Sequence, residues 1–550
     1  MSKNTDAVTL LEKNFDVAFA APDGIKKLRE LILSLAMQGK LVPQDEADQP
    51  ASELLKEIEA EKSRLVKYGK IKASKSLPEI KPDEVPYDLP KSWEWVRIPD
   101  CYYGIGNKTN QIQTKDYLES GIYPVIDQGK SFIAGYFNDK SKLLEITKPV
   151  VIFGDHTRNI KFIDFSFVIG ADGVKILCPY EGIFSRYLYH AIQSYDLTNR
   201  GYARHFKVLN EKLIPICSFA EQRRIVAKID ELMARCDELE KLKTERNQKQ
   251  ITVHKAALNR LLTAKDRSDF QTSWHFITQH FSELYSVKEN VAELRKAILQ
   301  LAVMGKLVPQ DPNDRSASEL LKEIEKEKQK LIKEGKIKAS KPLPEIKPDE
   351  IPYNLPQGWE WVRLDNLGYT IGGGTPSKSN TSYWEGTIPW VSPKDMKLDY
   401  ISDCPDHISE IALNKSTTKL IPKHSLLIVI RGMILAHSFP AAINTVVLTI
   451  NQDMKALCPY ISFTFKYLLL LAKGRKNHFL SLVERSSHGT CRLETDKVLS
   501  TIIALPPLSE QHRIVAKIDQ LMTLCDELEK QIDAAESKQT NLLNSMMTKI

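Results

Sequence analysis

Ile225, Ile229, Leu232, Cys236 and Leu239 advance in steps of 4, 3, 4 and 3, with charged side chains filling most positions between them. That is the a/d spacing of a helix with one apolar seam, and Ile514, Ile518, Leu521, Cys525 and Leu528 repeat it. A continuous helix from Glu221 to Leu262 spans about 60 Å at ~1.5 Å per residue, which makes it a spacer rod. Two such rods in one chain could pair with each other, and an antiparallel arrangement would relate the halves by a pseudo-twofold axis. Shorter periodic runs, Leu28, Ile32, Leu35 and Leu294, Ile298, Leu301, predict helices closed by Gly39 and Gly305. A second pair of helices opens at Ser52 and Ser318, each followed by Glu-Leu-Leu-Lys-Glu-Ile-Glu, with the serine expected to cap the first turn. The prolines of the strap from Leu77 to Pro86, repeated from Leu343, exclude helix and central strand and predict an extended linker into Trp93-Glu-Trp95 or Trp359-Glu-Trp361.

These patterns form a tandem duplication with two offsets. Gly39-Lys-Leu-Val-Pro43 returns as Gly305-Lys-Leu-Val-Pro309, 266 residues later, and Glu221-Gln-Arg-Arg-Ile-Val226 returns as Glu510-Gln-His-Arg-Ile-Val515, 289 residues later. The frame repeat extends back to Phe15, paired with Phe281. Between the repeated blocks, residues 98–218 and 364–507 show little resemblance to each other. Both hold β-rich runs, such as Pro149-Val-Val-Ile-Phe153 and Ser425-Leu-Leu-Ile-Val-Ile430, followed by a helix near Phe184–Ser194 or Phe463–Lys473. The expected architecture is therefore α+β: two globular mixed domains set into a repeated helical frame. The boundaries are 1–90 helical, 91–218 first insert, 219–356 rod plus repeated block, 357–507 second insert and 508–550 second rod.

Charge adds little constraint. Lys and Arg exceed Asp and Glu by seven, with a pI near 8.7, a mild basic bias that permits a polyanionic partner without requiring one. The eight cysteines form no C-x-x-C pair and none sits with histidine at ligand spacing, so neither a metal site nor a disulfide framework is expected, and a reducing cytoplasm fits. No signal-peptide pattern begins the chain, and Leu468-Leu-Leu-Leu-Ala472 is too short to span a bilayer. Catalytic motifs are missing as well. Gly372-Gly-Gly-Thr-Pro376 lacks the lysine of a phosphate loop, and Leu505-Pro-Pro-Leu508 lacks the amide and aromatic of an amino-methyltransferase. Glu79-Ile-Lys81 precedes Pro82-Asp83, the reverse of a metal-dependent nuclease order.

Residues suited to a polyanion are easier to find. Arg200, Arg204, His205 and Lys207 end the first insert with no acid from Leu197 to Asn210; the second carries Arg475, Lys476, Arg485 and Arg492. Gly201-x-x-Arg204 and Gly489-x-x-Arg492 sit at matching distances before the Glu-Gln of each rod, which points to a shared backbone clamp. His156, Arg158, Asn159 and Lys161 in the first insert, with Ser377, Lys378, Asn380 and Lys394 in the second, are exposed-loop candidates for base contact, since amide, guanidinium and imidazole groups match base edges.

Taken together, Ala220-Glu-Gln-Arg-Arg-Ile-Val226, Pro506-Pro-Leu-Ser-Glu-Gln-His-Arg-Ile-Val515, the two Gly-Lys-Leu-Val-Pro blocks, Tyr123-Pro-Val-Ile-Asp-Gln-Gly129 and Ile388-Pro-Trp-Val-Ser-Pro-Lys394 resemble the specificity (S) subunits of type I restriction-modification systems over nearly the whole chain. The resemblance implies two target-recognition domains separated by long conserved helices in an antiparallel coiled coil, a bipartite double-stranded DNA target, and docking of two methyltransferase (M) subunits and restriction (R) subunits. It implies no catalysis and no cofactor on this chain, with S-adenosylmethionine bound by M and ATP and Mg²⁺ used by R. One departure is Ile216-Cys-Ser-Phe-Ala-Glu221, which lacks the proline pair of the second junction. A fused methyltransferase-nuclease partner and a scaffold without DNA binding are the competing readings.

Overall fold

The computed structural model describes residues 21–73, 77–106, 108–195, 197, 204–339, 343–485 and 489–547. The chain divides into two compact units: residues 1–246 with 535–550, and residues 247–534. The first rod, Phe219–Leu262, leaves the first unit and ends in the second, whereas the other rod, Leu508–Met547, does the reverse. No helix among the described residues is long and apolar enough to cross a membrane.

In the first unit, helix α1 (Gly24–Met37) buries Ile25, Ile32 and Ala36 in a core shared with Ile225, Ile229 and Cys236 of the rod. Leu232 packs at its edge, while Leu239 is exposed. Arg29 of α1 donates to Asp237 (2.9 Å) and Glu240 (2.7 Å) of the same rod. In the second unit, Lys288–Val303 plays the same part: Ile298 shares a core with Ile514, Ile518 and Cys525, Leu521 and Leu528 pack against it, and Arg295 donates to Asp526 (2.6 Å) and Glu529 (3.2 Å). The seam expected to join rod to rod is therefore occupied, over these residues, by the unit's own first frame helix. The a/d pattern was read correctly as a helix pairing surface, but periodicity does not name the partner.

The second frame helices, Ala51–Lys67 and Ala317–Lys333, start one residue before the serines expected to cap them, and neither Ser52 nor Ser318 caps. Backbone does the work instead. Ala51 N donates to Ser92 O (2.9 Å) and Ala317 N to Gly358 O (2.8 Å), so the first turn is fixed by the chain entering Trp93 and Trp359. Gly39 and Gly305 end the preceding helices at φ +67° and +68°, and a Cβ at either would lie 2.6 or 2.5 Å from Pro90 or Pro356 Cγ. Only glycine satisfies both constraints.

The strap is extended, but it is clamped rather than loose. Arg97, 7% exposed, donates to Pro78 O (2.9 Å), Glu79 O (3.3 Å) and the Glu84 carboxylate; Arg363, 6% exposed, does so to Pro344 O (2.9 Å), Glu345 O (3.2 Å) and Glu350. Each arginine ends a strand, Glu94–Arg97 or Glu360–Arg363, that pairs antiparallel with the strand leaving the same insert, Leu213–Ile216 or Ile502–Leu505. Entry and exit of each insert thus lie side by side, which is how one frame accepts different inserts.

At the insert–rod junction, Glu221 accepts hydrogen bonds from Trp93 Nε1 (3.0 Å) and Gln44 Nε2 (2.6 Å), and Glu510 from Trp359 Nε1 (2.9 Å) and Gln310 Nε2 (3.1 Å). Burial pushes both carboxyls above the ordinary range, opposed by these donors. Arg224 bonds Asp48 and Arg513 bonds Asp314, and these guanidinium partners hold both aspartates below it. The repeated Glu-Gln-x-Arg is thus a structural joint that ties together the rod, Trp-Glu-Trp and the loop between the two frame helices. The absence of the proline pair at Ile216–Glu221 leaves the first joint intact: Ser218 Oγ accepts from Glu221 N (2.9 Å) and Cys217 O from Gln222 Nε2 (3.0 Å).

The inserts, unlike in sequence, share a topology. The first has a sheet ordered Tyr102–Gly104, Val174–Pro179, Val150–Gly154, Ile160–Ile163; the second repeats it as Gly368–Gly372, Met454–Pro459, Leu426–Val429, Ala441–Asn444 and adds Tyr400–Ile401. A smaller sheet in each contains a parallel pair, Val125 with Val168 and Trp390 with Thr449. Little alike in sequence, the inserts differ in loops and share a core, because buried strand positions tolerate any apolar residue of suitable volume.

Candidate nucleic-acid interface

The equivalent strands locate equivalent loops. Val151 pairs with Leu177 and Leu426 with Leu457, so the residue following each strand is Asp155 in the first insert and Ile430 in the second. Their backbone contacts match. Asp155 N donates to Gly173 O and Ile430 N to Asp453 O, both at 2.8 Å; His205 N donates to Asp155 O and Leu493 N to Ile430 O, also at 2.8 Å. The residue preceding each tether is Arg204 in one insert and Arg492 in the other, and both are exposed. Arg204 and Arg492 therefore occupy the same place in the fold; Arg200 and Gly201 lie outside the described residues.

The first insert's loop is short and tied down. Between Gly154 and Ile160 the chain turns with Arg158 at φ +62°. Gln128 Oε1 accepts from His156 N (3.1 Å), and its carbonyl accepts from Thr157 Oγ1 (2.5 Å) and Asn159 Nδ2 (2.9 Å). Arg158 Nη1 donates to Leu197 O (2.5 Å). These bonds fix His156, Arg158 and Asn159 as parts of a rigid turn, with Thr157 exposed at its tip. Gln128, inside the Tyr123–Gly129 motif, was given no role by sequence reasoning because the loop it binds lies far along the chain. The recurring Lys175-x-Leu-Cys-Pro-Tyr180 and Lys455-x-Leu-Cys-Pro-Tyr460, 280 residues apart, would have aligned the inserts and exposed the loop equivalence.

Three candidates turn inward and are corrected. Lys161 is 6% exposed, its Nζ donating to Asp127 O (2.8 Å) and Ser131 O (2.6 Å) beside the Asp127 carboxylate, and burial lowers its pKa. It lies in phase with buried Ile163 on an alternating strand, a signal legible in the sequence. His205 is buried with Nδ1 3.1 Å from Asp155 O. Arg475 is partly buried, bonded to Ile502 O, and burial lowers its pKa. Lys161 and His205 brace backbone around the first insert's loop, and Arg475 braces the exit strand of the second, instead of reaching out to solvent.

The others lie outward. Lys207, Lys476, Arg485 and Arg492 are exposed, the last two on a hairpin, Val483–Arg485 with Cys491–Leu493, whose alternate residues Cys491 and Leu493 anchor it in the core. Glu484 faces Arg492 across the hairpin and bonds Lys497. Ser377, Lys378 and Asn380 are exposed in a loop bound by Trp384 Nε1 to Ser377 O (3.2 Å) and Ser382 Oγ to Asn380 Oδ1 (2.7 Å). Lys394 is exposed but paired with Asp406 (2.7 Å).

Two copies of one frame, each holding a shared core with its own loops, define a duplicated recognition scaffold. Residues 356–535 match the family described as the type I restriction modification DNA specificity domain. Over 95% of its length the chain is 33% identical to the type I restriction enzyme EcoAI specificity subunit of Escherichia coli, covering 93% of that protein. It is 31% identical, with the same coverage of each, to the EcoEI specificity subunit of Escherichia coli. The crystal structure of the HsdS subunit from Thermoanaerobacter tengcongensis aligns with 85% of this chain and 98% of its own at a TM-score of 0.39 and 17% identity. The chain belongs to the type I restriction enzyme specificity subunits, the DNA-recognition components of these systems, which are not themselves catalytic.

Proposed function

We propose that each insert reads one half of an asymmetric, bipartite double-stranded DNA target. In this reading the rods maintain a non-specific spacer, and the repeated frame docks two M subunits and, through them, R subunits for adenine methylation or ATP-dependent cleavage. S-adenosylmethionine belongs to M, ATP and Mg²⁺ to R, and the complex works in the cytoplasm. The observation that carries this reading is the contrast between joints repeated bond for bond, at Glu221 and Glu510, and loops that differ at equivalent places, at Asp155 and Ile430. Common joints suit common protein partners, and unlike loops suit unlike half-sites, with phosphate contacts setting register and loop side chains reading bases.

Mapping methylated adenines in cells making this chain with its M subunit tests the reading. Two unequal half-sites separated by a fixed spacer are expected, whereas a continuous or palindromic site would reject it. Four residues inserted within Leu242–Gln250 of the rod should change the spacer length; an unchanged spacer would remove the rods from that role.

A further inference from the structure

We propose that Arg431, on the long loop of the second insert, is a specificity-determining residue that reads a guanine of that insert's half-site. The inference rests on the DNA-reading role proposed above. Eleven residues, Ile430–Pro440, join strands Leu426–Val429 and Ala441–Asn444, where the first insert uses five, Asp155–Asn159. The position equivalent to His156 is Arg431, and its backbone bridges that of Arg492, so the two guanidinium-bearing residues lie side by side on one surface. Arg431 N donates to Asp453 O (3.2 Å) and Gly432 N to Cys491 O (3.0 Å), which fixes the base of the loop.

The side chain of Arg431 is 52% exposed, with Nη1 3.9 Å from Asp453 Oδ1, close enough to be oriented without being neutralised in a tight pair. Beyond it, Met433 and Ile434 are 64% and 40% exposed, while Leu435, 1% exposed, anchors the turn in the core. A rigidly based loop that holds an arginine beside two exposed apolar side chains has the chemistry of a major-groove reader. A guanidinium spans guanine O6 and N7, and apolar groups pack against thymine methyls. Arg492 beside it suits phosphate, which divides the two roles between neighbours. The first insert, with a histidine at this position on a turn half as long, reads its half-site differently.

The test uses the full chain purified with its M subunit, comparing Arg431→Ala and Arg431→Lys with the unaltered complex on cognate and scrambled duplexes, with methylated sites sequenced from cells. Arg431→Ala should weaken cognate binding by roughly 10- to 100-fold, leave scrambled-DNA binding and the salt slope unchanged, and relax one position of one half-site. Lysine, which lacks the bidentate fork, should not restore that position. Equal weakening on both duplexes with a shallower salt slope would make Arg431 a phosphate contact and overturn the proposal, as would unchanged discrimination. Failure of the unaltered complex to discriminate at all would instead reject the DNA-reading role on which the proposal rests.

Discussion

The two joints and the two loops of this chain have diverged to very different extents under one duplication. At the joints, Trp93, Gln44, Glu221, Asp48 and Arg224 have partners in the same geometry as Trp359, Gln310, Glu510, Asp314 and Arg513. At the loops, a five-residue turn locked by Gln128 stands where an eleven-residue loop carries Arg431 and Met433 into solvent. A buried network of a carboxylate, an indole N–H and an amide is satisfied only as a whole, so replacing one member leaves another unpaired in the interior. An exposed loop on a closed β frame has no such coupling. Divergence is therefore permitted where the chain meets its changeable ligand and resisted where it holds itself together.

If the joints are equivalent, damage to either should cost the same. Trp93→Ala and Trp359→Ala each remove a side chain no more than 5% exposed and should destabilise by about 3–5 kcal/mol. Urea unfolding of each variant checks this, and a clear inequality would show that the joints match in geometry alone. The rod ends also differ in chemistry between the copies. His254 of the first rod, fully buried with Nε2 3.0 Å from Tyr285 Oη, corresponds to Leu543 of the second, which packs with Ala21. Burial depresses the His254 pKa to about 4. The unfolded chain, with an ordinary imidazole near ~6.5, takes up a proton that the folded chain refuses. This contribution is complete above about pH 6.5 and is lost, by up to about 3 kcal/mol, as pH falls toward the folded value. His254→Leu should flatten that part of the stability-against-pH curve, and a curve of unchanged slope would exclude His254 as its source.

Much of this architecture was legible in the chain. The rods, the frame helices and the strap follow from period and repetition, because helix faces and proline chemistry are local. The seam's partner was not legible, since a 4-3-4-3 pattern describes a surface without saying whether Arg29's helix or another rod covers it. The shared topology of the inserts was hidden because sheet pairing joins residues far apart, such as Val151 and Leu177, whose identities any apolar pair could replace. At the candidate interface, Arg204 and Arg492 lie exposed at equivalent places, as their similar distances from the joint suggest, whereas Lys161, His205 and Arg475 turn inward. A polar side chain can satisfy itself on backbone carbonyls, and charge alone does not show which way it turns.

That inward turn supplies a sharper test of loop against frame. Lys161→Ala leaves the carbonyls of Asp127 and Ser131 without their buried donor and should cost about 1–3 kcal/mol, whereas Lys394→Ala at its exposed ion pair should leave the unfolding midpoint where it is. Comparable losses would mean that the two lysines do the same job. The smallest expected effect separates the clamp from the readers. Arg204→Ala and Arg492→Ala, at equivalent exposed positions just before the same tether, should each weaken cognate and scrambled DNA alike and reduce the slope of log affinity against log salt by about 0.9, the loss of one phosphate contact. If either variant instead changes which sequence is bound, that arginine reads a base, and the two inserts do not grip the DNA backbone in the same way despite the matching hydrogen bonds that position their arginines.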